Sequence, residues 1–102
     1  MACRLEVADN LFARMKGLLG KKALADGEGL LIRPCKGIHT FGMKFPIDAV
    51  FLDGNNRVIA VTRNILPNRM TRVFFNAVSV LELPPGTIEA TATNIGDEVT
   101  LV

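Results

Sequence analysis

Glycine and proline residues divide this chain into short segments, and their spacing constrains the fold more than any other feature. Four of them fall within residues 34–46, namely Pro34, Gly37, Gly42 and Pro46. Proline lacks a backbone donor and glycine favours turns, so this stretch has no room for a long helix or a long strand. Residues 84–86, Pro-Pro-Gly, stop the next apolar stretch in the same way. The chain is therefore predicted to be built from short elements.

The apolar segments between these breakers have the composition of strands. Residues 47–52 and 57–63 flank the turn signal Asp53-Gly54-Asn55-Asn56, which predicts a β-hairpin. Residues 3–8 alternate apolar and charged side chains, which indicates a half-buried strand. Further strands are predicted at residues 29–33, 73–75, 78–83 and 98–101.

One substantial helix is predicted near the N-terminus, between Asp9 as its cap and Gly20 as its end. Helical spacing relates Leu11, Met15, Leu18 and Leu19. Residues 87–91 allow one more helical turn. The predicted fold is α+β and mostly β, a compact curved mixed sheet or partly closed barrel of six or seven short strands with one N-terminal helix. Residues 1–102 are predicted to form a single domain.

Composition excludes several classes of protein. With 49% hydrophobic residues the chain is too apolar to be disordered. Twelve Lys and Arg against ten Asp and Glu give a net charge of only +2, which argues against a nucleic-acid partner. The apolar runs are too short to span a bilayer, so no membrane partner is expected. Residues 1–7 lack the apolar core of a secretion signal, which predicts a cytoplasmic protein with Cys3 and Cys35 as thiols.

The loop from Cys35 to Asp48 carries the side chains best suited to chemistry. Cys35, His39 and Met43 are spaced four residues apart, and Asp48 opens the next strand. One interpretation is a soft-metal site for Zn or Cu(I), although the four ligands of a structural zinc site are not all present. A second is a Cys35 nucleophile with His39 as its base and Asp48 or another carboxylate to orient the imidazole. In a third, His39 and Thr40 satisfy backbone groups while Phe41, Met43 and Phe45 pack in the core.

Glu82 is the other unusual residue. It shares the alternating face of Val78 and Val80, and a carboxylate buried there needs a donor, because leaving it alone costs several kcal/mol. Arg14, His39 or a backbone group is the expected partner. The alternative is that this face is the solvent side of an edge strand.

Several segments resemble, in order, the domain of unknown function 192 family of small bacterial and archaeal proteins. The matching segments are 14–20 (RMKGLLG), 29–35 (GLLIRPC), 38–53 (IHTFGMKFPIDAVFLD), 81–87 (LELPPGT) and 96–97 (GD). The resemblance implies a compact, mostly β domain and no particular activity. Many longer members carry Trp-Met-Lys-Asn-Thr at positions 41–45 and lack the Cys and His. The positions common to both versions, Arg14, Gly17, Met43, Asp48 and Glu82, resemble a structural polar network beside a pocket.

These observations predict a binding cleft formed by the 35–48 loop, the N-terminal helix and the strand that carries Glu82. The expected ligand is a small molecule, a peptide or a partner protein, and no cofactor is expected. The alternative is a Cys/His enzyme or a soft-metal site at Cys35 and His39. The candidate binding residues are Arg14, Cys35, His39, Thr40, Met43, Asp48 and Glu82.

Overall fold

The computed structural model describes residues 11–18, 28–41 and 43–101, which form strands and one short helix. The strands are β1 (Leu11–Leu18), β2 (Glu28–Ile32), β3 (Ile47–Leu52), β4 (Val58–Ile65), β5 (Ser79–Leu83) and β6 (Val99–Leu101), and the helix is α1 (Thr87–Ala90). The mostly β architecture agrees with the sequence prediction, and α1 confirms the predicted helical turn at 87–91. No helix in these ranges is long and apolar enough to cross a bilayer.

The strands pair in an antiparallel sheet. Four of them follow the order β4-β3-β5-β2, and β1 and then β6 continue beyond β2. Every pairing between described strands is antiparallel, so the predicted mixed sheet is wrong on this point. Between β3 and β4 the five-residue connection requires this arrangement, since parallel neighbours need crossovers of a dozen or more residues. The predicted strand number and barrel closure stay predictions.

The predicted hairpin of β3 and β4 is confirmed. Oδ1 of Asp53 accepts the backbone N–H groups of Asn55 and Arg57 at 2.8 and 3.0 Å, which fixes the turn between the strands. Asn56 adopts a left-handed φ of 60°, which asparagine tolerates better than most residues. The N–H groups of Arg57 and Asn55 also hold the pKa of Asp53 below its usual value.

The predicted N-terminal helix is wrong over residues 11–18, which form β1. This strand pairs with β2 from Leu11↔Leu31 to Arg14↔Glu28 and with β6 through Met15↔Leu101. Residues 13–17 read Ala-Arg-Met-Lys-Gly, which also fits a period of two, and pairing across the sheet outweighs the helical spacing. The predicted strand at 3–8 and the helix ends at Asp9, Leu19 and Gly20 lie outside the described residues.

The sheet has a hydrophobic cluster on each face, and β3 contributes to both. Val50 and Leu52 belong to one cluster, whereas Ala49 and Phe51 belong to the other. All six β3 residues are buried, which explains the apolar run at residues 49–52. The first cluster also contains Leu31, Val58, Leu81, Leu83, Ile88 and Val99, and the second contains Ile32, Cys35, Ile38, Ile47, Ala60, Ile65, Ala77 and Val80.

The second cluster is covered by two irregular segments, residues 35–41 and 66–78, which run antiparallel and which we call the covering ribbon. The backbone N–H groups of Cys35, Thr40, Thr71 and Phe74 donate to the carbonyls of Val78, Arg69, Ile38 and Lys36 at 2.8–3.0 Å. The strand predicted at 73–75 is wrong, because these residues cross the sheet face within the ribbon. The breakers between Pro34 and Pro46 explain why the ribbon does not become regular sheet.

Gly37 marks the closest approach between the two segments of the ribbon. A Cβ atom at this position would lie 3.0 Å from the carbonyl oxygen of Arg72 and 3.4 Å from Oγ1 of Thr71. We expect Gly37→Ala to lower the free energy of unfolding by about 1–3 kcal/mol, because backbone must shift to admit the methyl group. Urea denaturation measures the change.

Gly54→Ala is the matched control, since a Cβ there would meet only Cγ2 of Val78 at 4.0 Å. It should change the free energy of unfolding by no more than about 1 kcal/mol. Equal effects of the two substitutions would contradict the close packing of the ribbon.

Candidate functional site

The exposed apolar side chains of the described residues concentrate on the covering ribbon. Seven large apolar side chains are exposed among the residues whose side chains are described, and the ribbon carries five of them: Phe41, Leu66, Met70, Phe75 and Val78. The other two, Phe45 and Ile95, lie outside it. The predicted core positions of Phe41 and Phe45 are therefore wrong, because the ribbon turns toward the sheet at Cys35, Ile38 and Ala77 instead.

His39, Phe41 and Met70 form an aromatic and apolar platform on the ribbon. The rings of His39 and Phe41 stack with centroids 4.7 Å apart and an interplanar angle of 28°. Nδ1 of His39 accepts the backbone N–H of Phe41 at 3.4 Å, and His39 pairs with Met70 in an isolated β-bridge. Phe41 is 44% exposed and Met70 is 61% exposed, so the platform faces solvent.

Thr40 fixes the platform from beneath. Its side chain is fully buried, and its hydroxyl donates to the carbonyl of Leu66 at 2.7 Å and accepts the N–H of Arg69 at 2.9 Å. Its carbonyl oxygen accepts the N–H groups of Met43 and Asn68. Thr40 therefore holds residues 66–69 in one conformation and has a positioning role.

The ribbon is also basic and contains no acidic residue. Lys36, Arg69 and Arg72 lie in its two segments, which have neither Asp nor Glu. Nζ of Lys36 donates to the carbonyls of Phe75 and Ala77 at 3.0 and 2.9 Å. The guanidinium of Arg72 lies 5.1 Å from the centre of the Phe74 ring, a cation–π contact. Among the described residues, no carboxylate forms an ion pair with these three cations.

Cys35 is a core residue in this structure. It is 2% exposed, and its thiol donates to the carbonyl of Gly37 at 3.1 Å. Met43 packs against the same cluster. Within the described ranges, no group of three His, Cys, Asp or Glu side chains could hold a metal ion. The exposed, activated thiol that the Cys/His enzyme hypothesis requires is therefore not found at Cys35.

Asp48 is buried and joins two elements. Oδ1 accepts the N–H of Asn64 near the end of β4 at 2.8 Å, and Oδ2 accepts the N–H of Ile88 in α1 at 2.9 Å. The N-cap of α1 is Gly86, whose lack of a side chain leaves the first turn uncapped. Asp48 supplies the missing acceptor from a distant strand. Its role is structural in this geometry.

A cleft of about 350 Å³ opens beside Asp48. Its lining consists of Asp48, Arg63, Asn64, Pro85, Gly86 and Glu89. The carboxylate of Asp48 already accepts two backbone N–H groups, so the chemically strongest group of this cleft is engaged by the fold. The cleft lies between the start of β3, the end of β4 and the start of α1, and the cleft predicted at the 35–48 loop stays a prediction.

Glu82 is buried at 5% exposure on β5, between β3 and β2. The alternative of a solvent-facing edge strand is therefore wrong. Its register neighbours are Ala49 and Leu30, and Oε1 accepts no hydrogen bond from a described residue. The predicted backbone or His39 partner is thus not found there, and pairing with Arg14 stays a prediction. Burial raises the pKa of Glu82 to about 7.

A family model and a curated relative both match this chain along most of its length. The family model DUF192, described as Uncharacterized ACR, matches residues 1–101. The chain belongs to this family. UPF0127 protein PH1112 of Pyrococcus horikoshii is 35% identical over 98 residues, which are 93% of this chain and 84% of that protein. The resemblance seen in the sequence motifs is thereby confirmed, and these names state no activity.

Two crystal structures share the fold. A protein of unknown function from Novosphingobium aromaticivorans has a TM-score of 0.66 and 24% identity, covering 83% of this chain and 65% of that one. A proposed transcription regulator of Sinorhizobium meliloti has a TM-score of 0.64 and 20% identity, covering 83% and 70%. This chain therefore spans just under two thirds of the length of the first structure, and the likeness concerns the fold alone.

Leu66, Met70, Phe75 and the three ribbon cations were not among the residues predicted from the sequence. One sequence signal points toward them, since residues 54–81 contain no Asp or Glu. Their assembly into one surface depends on the pairing of residues 66–78 with 35–41, which are far apart along the chain.

Asp48→Asn tests the structural role of this carboxylate. An amide has only one acceptor oxygen, so its NH₂ group would face either the N–H of Asn64 or that of Ile88. We expect the free energy of unfolding to fall by about 2–3 kcal/mol in a chemical denaturation experiment. Asp53→Asn is the control, because Asp53 uses a single oxygen for both of its backbone contacts, and it should change stability by less than about 1 kcal/mol. Unchanged stability of Asp48→Asn would refute the structural role.

Glu82→Gln tests the buried carboxyl through pH. In the folded protein Glu82 stays protonated up to about pH 7, whereas in the unfolded chain it ionises at its ordinary pKa of 4.5. The free energy of unfolding therefore falls as the pH rises between these two values. Gln resembles the protonated form. The variant should match the wild type near the acidic end and exceed its free energy of unfolding above neutral pH by on the order of 3 kcal/mol.

Urea denaturation of both proteins across this pH window measures the difference. Glu89→Gln removes the same charge from an exposed position and should leave the pH dependence of the wild type unchanged. A constant difference between Glu82→Gln and the wild type at every pH would rule out the raised pKa.

Proposed function

We propose that this chain is a non-catalytic binding domain that recognises a segment of a partner protein through the covering ribbon. The observation that carries the proposal is the concentration of exposed apolar side chains there, with five of the seven among the described residues. Aromatic residues, Met and Arg are enriched in protein interfaces, and the ribbon presents all three at Phe41, Met70 and Arg69.

The rigidity of the ribbon supports the same proposal. The backbone contacts between its segments and the buried hydroxyl of Thr40 hold the platform in place before any partner arrives. A surface that is already ordered loses little conformational entropy on binding. Such a surface suits recognition of an extended peptide segment.

The binding residues predicted from the sequence stay candidates, and we assign them different roles. His39 would contact the partner, whereas Thr40 and Met43 would support the platform and Cys35 would anchor the ribbon to the sheet. Asp48, Glu82 and Arg14 would act on the fold that carries the surface. The enzyme, soft-metal and small-molecule alternatives are less well supported, because Cys35 is buried and each carboxylate oxygen of Asp48 already accepts a backbone N–H. No cofactor enters the proposal.

We also propose that the sheet closes partly into a barrel and that the domain is cytoplasmic. A partly closed barrel is supported by the isolated bridge Arg57↔Glu98, which joins the starts of β4 and β6. The N–H of Val58 donates to the carbonyl of Asp97 at 2.8 Å in the same region. The proposal treats residues 1–102 as a single cytoplasmic domain whose partner is neither a nucleic acid nor a membrane.

Met70→Glu tests the proposed function by selection from a displayed library of random peptides about 12 residues long. The wild-type protein should enrich a set of peptides that Met70→Glu binds at least about tenfold more weakly, because a carboxylate replaces an apolar contact at the platform. Met70 is exposed, so the variant should keep the melting temperature of the wild type.

Ile95→Glu is the matched control, an equally exposed apolar residue outside the ribbon. It should retain the affinity of the wild type for the selected peptides. Selection of no peptide that depends on Met70, or equal losses in the two variants, would refute binding through the ribbon.

A further inference from the structure

The charged side chains of the covering ribbon are all basic. Lys36, Arg69 and Arg72 lie among its exposed apolar side chains, and neither segment of the ribbon contains a carboxylate. Since the chain as a whole carries twelve basic and ten acidic residues, this separation is a local feature of the ribbon. A surface of one sign favours a partner of the opposite sign.

We infer that the partner segment is acidic, with carboxylates that meet Arg69 and Arg72 and an apolar side chain that packs on the platform of His39, Phe41 and Met70. This inference rests on the proposed function and names the chemistry of the partner. The partner is a protein segment in which Asp or Glu lies beside an apolar side chain.

The geometry leaves these cations able to accept such a partner. The guanidinium of Arg72 lies over the Phe74 ring and makes no hydrogen bond to a described residue, which leaves its N–H groups available for a carboxylate. Among the described residues, the guanidinium of Arg69 makes only a long contact of 3.5 Å to the carbonyl of Asn68. Lys36 already donates to two carbonyls, so one of its three N–H groups remains. Arg69 and Arg72 are therefore the principal contacts.

The order of residues favours a protein segment over an anionic membrane. Arg69 and Arg72 flank Met70 in the chain, and Lys36 is bonded to the carbonyl of Phe75. Insertion of Met70 or Phe75 into hydrocarbon would bring a neighbouring cation with it, which a membrane disfavours. A peptide that alternates carboxylates with apolar side chains meets both kinds of group at once.

The net charge of the selected peptides tests this inference. Peptides that depend on Met70 should be acidic when the wild-type protein selects them and basic when the double variant Arg69→Glu, Arg72→Glu selects them. Such a reversal requires a folded surface, so loss of folding cannot imitate it. The double variant Arg57→Glu, Arg63→Glu makes the same change in net charge at exposed positions outside the ribbon and should select the same acidic peptides as the wild type.

Fluorescence anisotropy of the selected acidic peptides gives the second measurement. Affinity should fall at least about tenfold when NaCl is raised from roughly 50 mM to roughly 500 mM, because salt screens exposed charges. Replacing each Asp and Glu of the peptide by Asn and Gln should cause a similar loss at low salt.

Failure of the acidic-partner inference and failure of the proposed binding function would give different results. Neutral or basic peptides that bind the wild-type protein and depend on Met70 would overturn the acidic partner and leave the binding function standing. An absence of Met70-dependent peptides would overturn both. Tighter Met70-dependent binding to phosphatidylserine vesicles or to a single-stranded oligonucleotide than to any selected peptide would replace the protein partner by that ligand.

Discussion

Burial of β3 on both faces is the constraint on which the remainder of the structure depends. A strand with apolar side chains on each side needs a covering layer on each side of its sheet, because exposed apolar surface is unfavourable in water. On one side Ile88 of α1 and Val99 of β6 supply that layer. On the other side the covering ribbon supplies it through Cys35, Ile38 and Ala77. The ribbon exists because the sheet requires a cover.

The irregular ribbon leaves backbone groups that regular sheet would have paired, and buried polar side chains satisfy them. The hydroxyl of Thr40 bonds to the backbone of Leu66 and Arg69. Asp48 does the same at the other end of the hairpin, where it binds the N–H groups of Asn64 and Ile88. Both side chains replace hydrogen bonds that water would otherwise make, so their burial is compensated. Glu82 differs from them, since the described residues offer its Oε1 no donor and its pKa rises accordingly.

Local sequence signals predicted the parts of the fold that depend on local contacts. The turn signal at 53–56 and its flanking apolar segments predicted the hairpin of β3 and β4. The same reasoning failed at residues 11–18, because their pairing with β2 and β6 involves distant segments that periodicity does not represent. Asp48 was recognised as unusual, but its partners lie 16 and 40 positions away, so its role could not be read from the loop alone. The exposed platform depends on a long-range pairing of the same kind.

The residues that fold the ribbon and those that give it a surface are different members of the same segments. Ile38 and Ala77 face the sheet, and Thr40 supplies the bonds that position the chain. Phe41, Met70 and Phe75 point away from that core, and Phe75 is 81% exposed. Polar side chains at the exposed positions of Met70 and Phe75 would leave the core contacts of the ribbon in place, so folding alone does not account for apolar ones there. A change of these exposed side chains would therefore alter the chemistry of the partner and leave the fold intact.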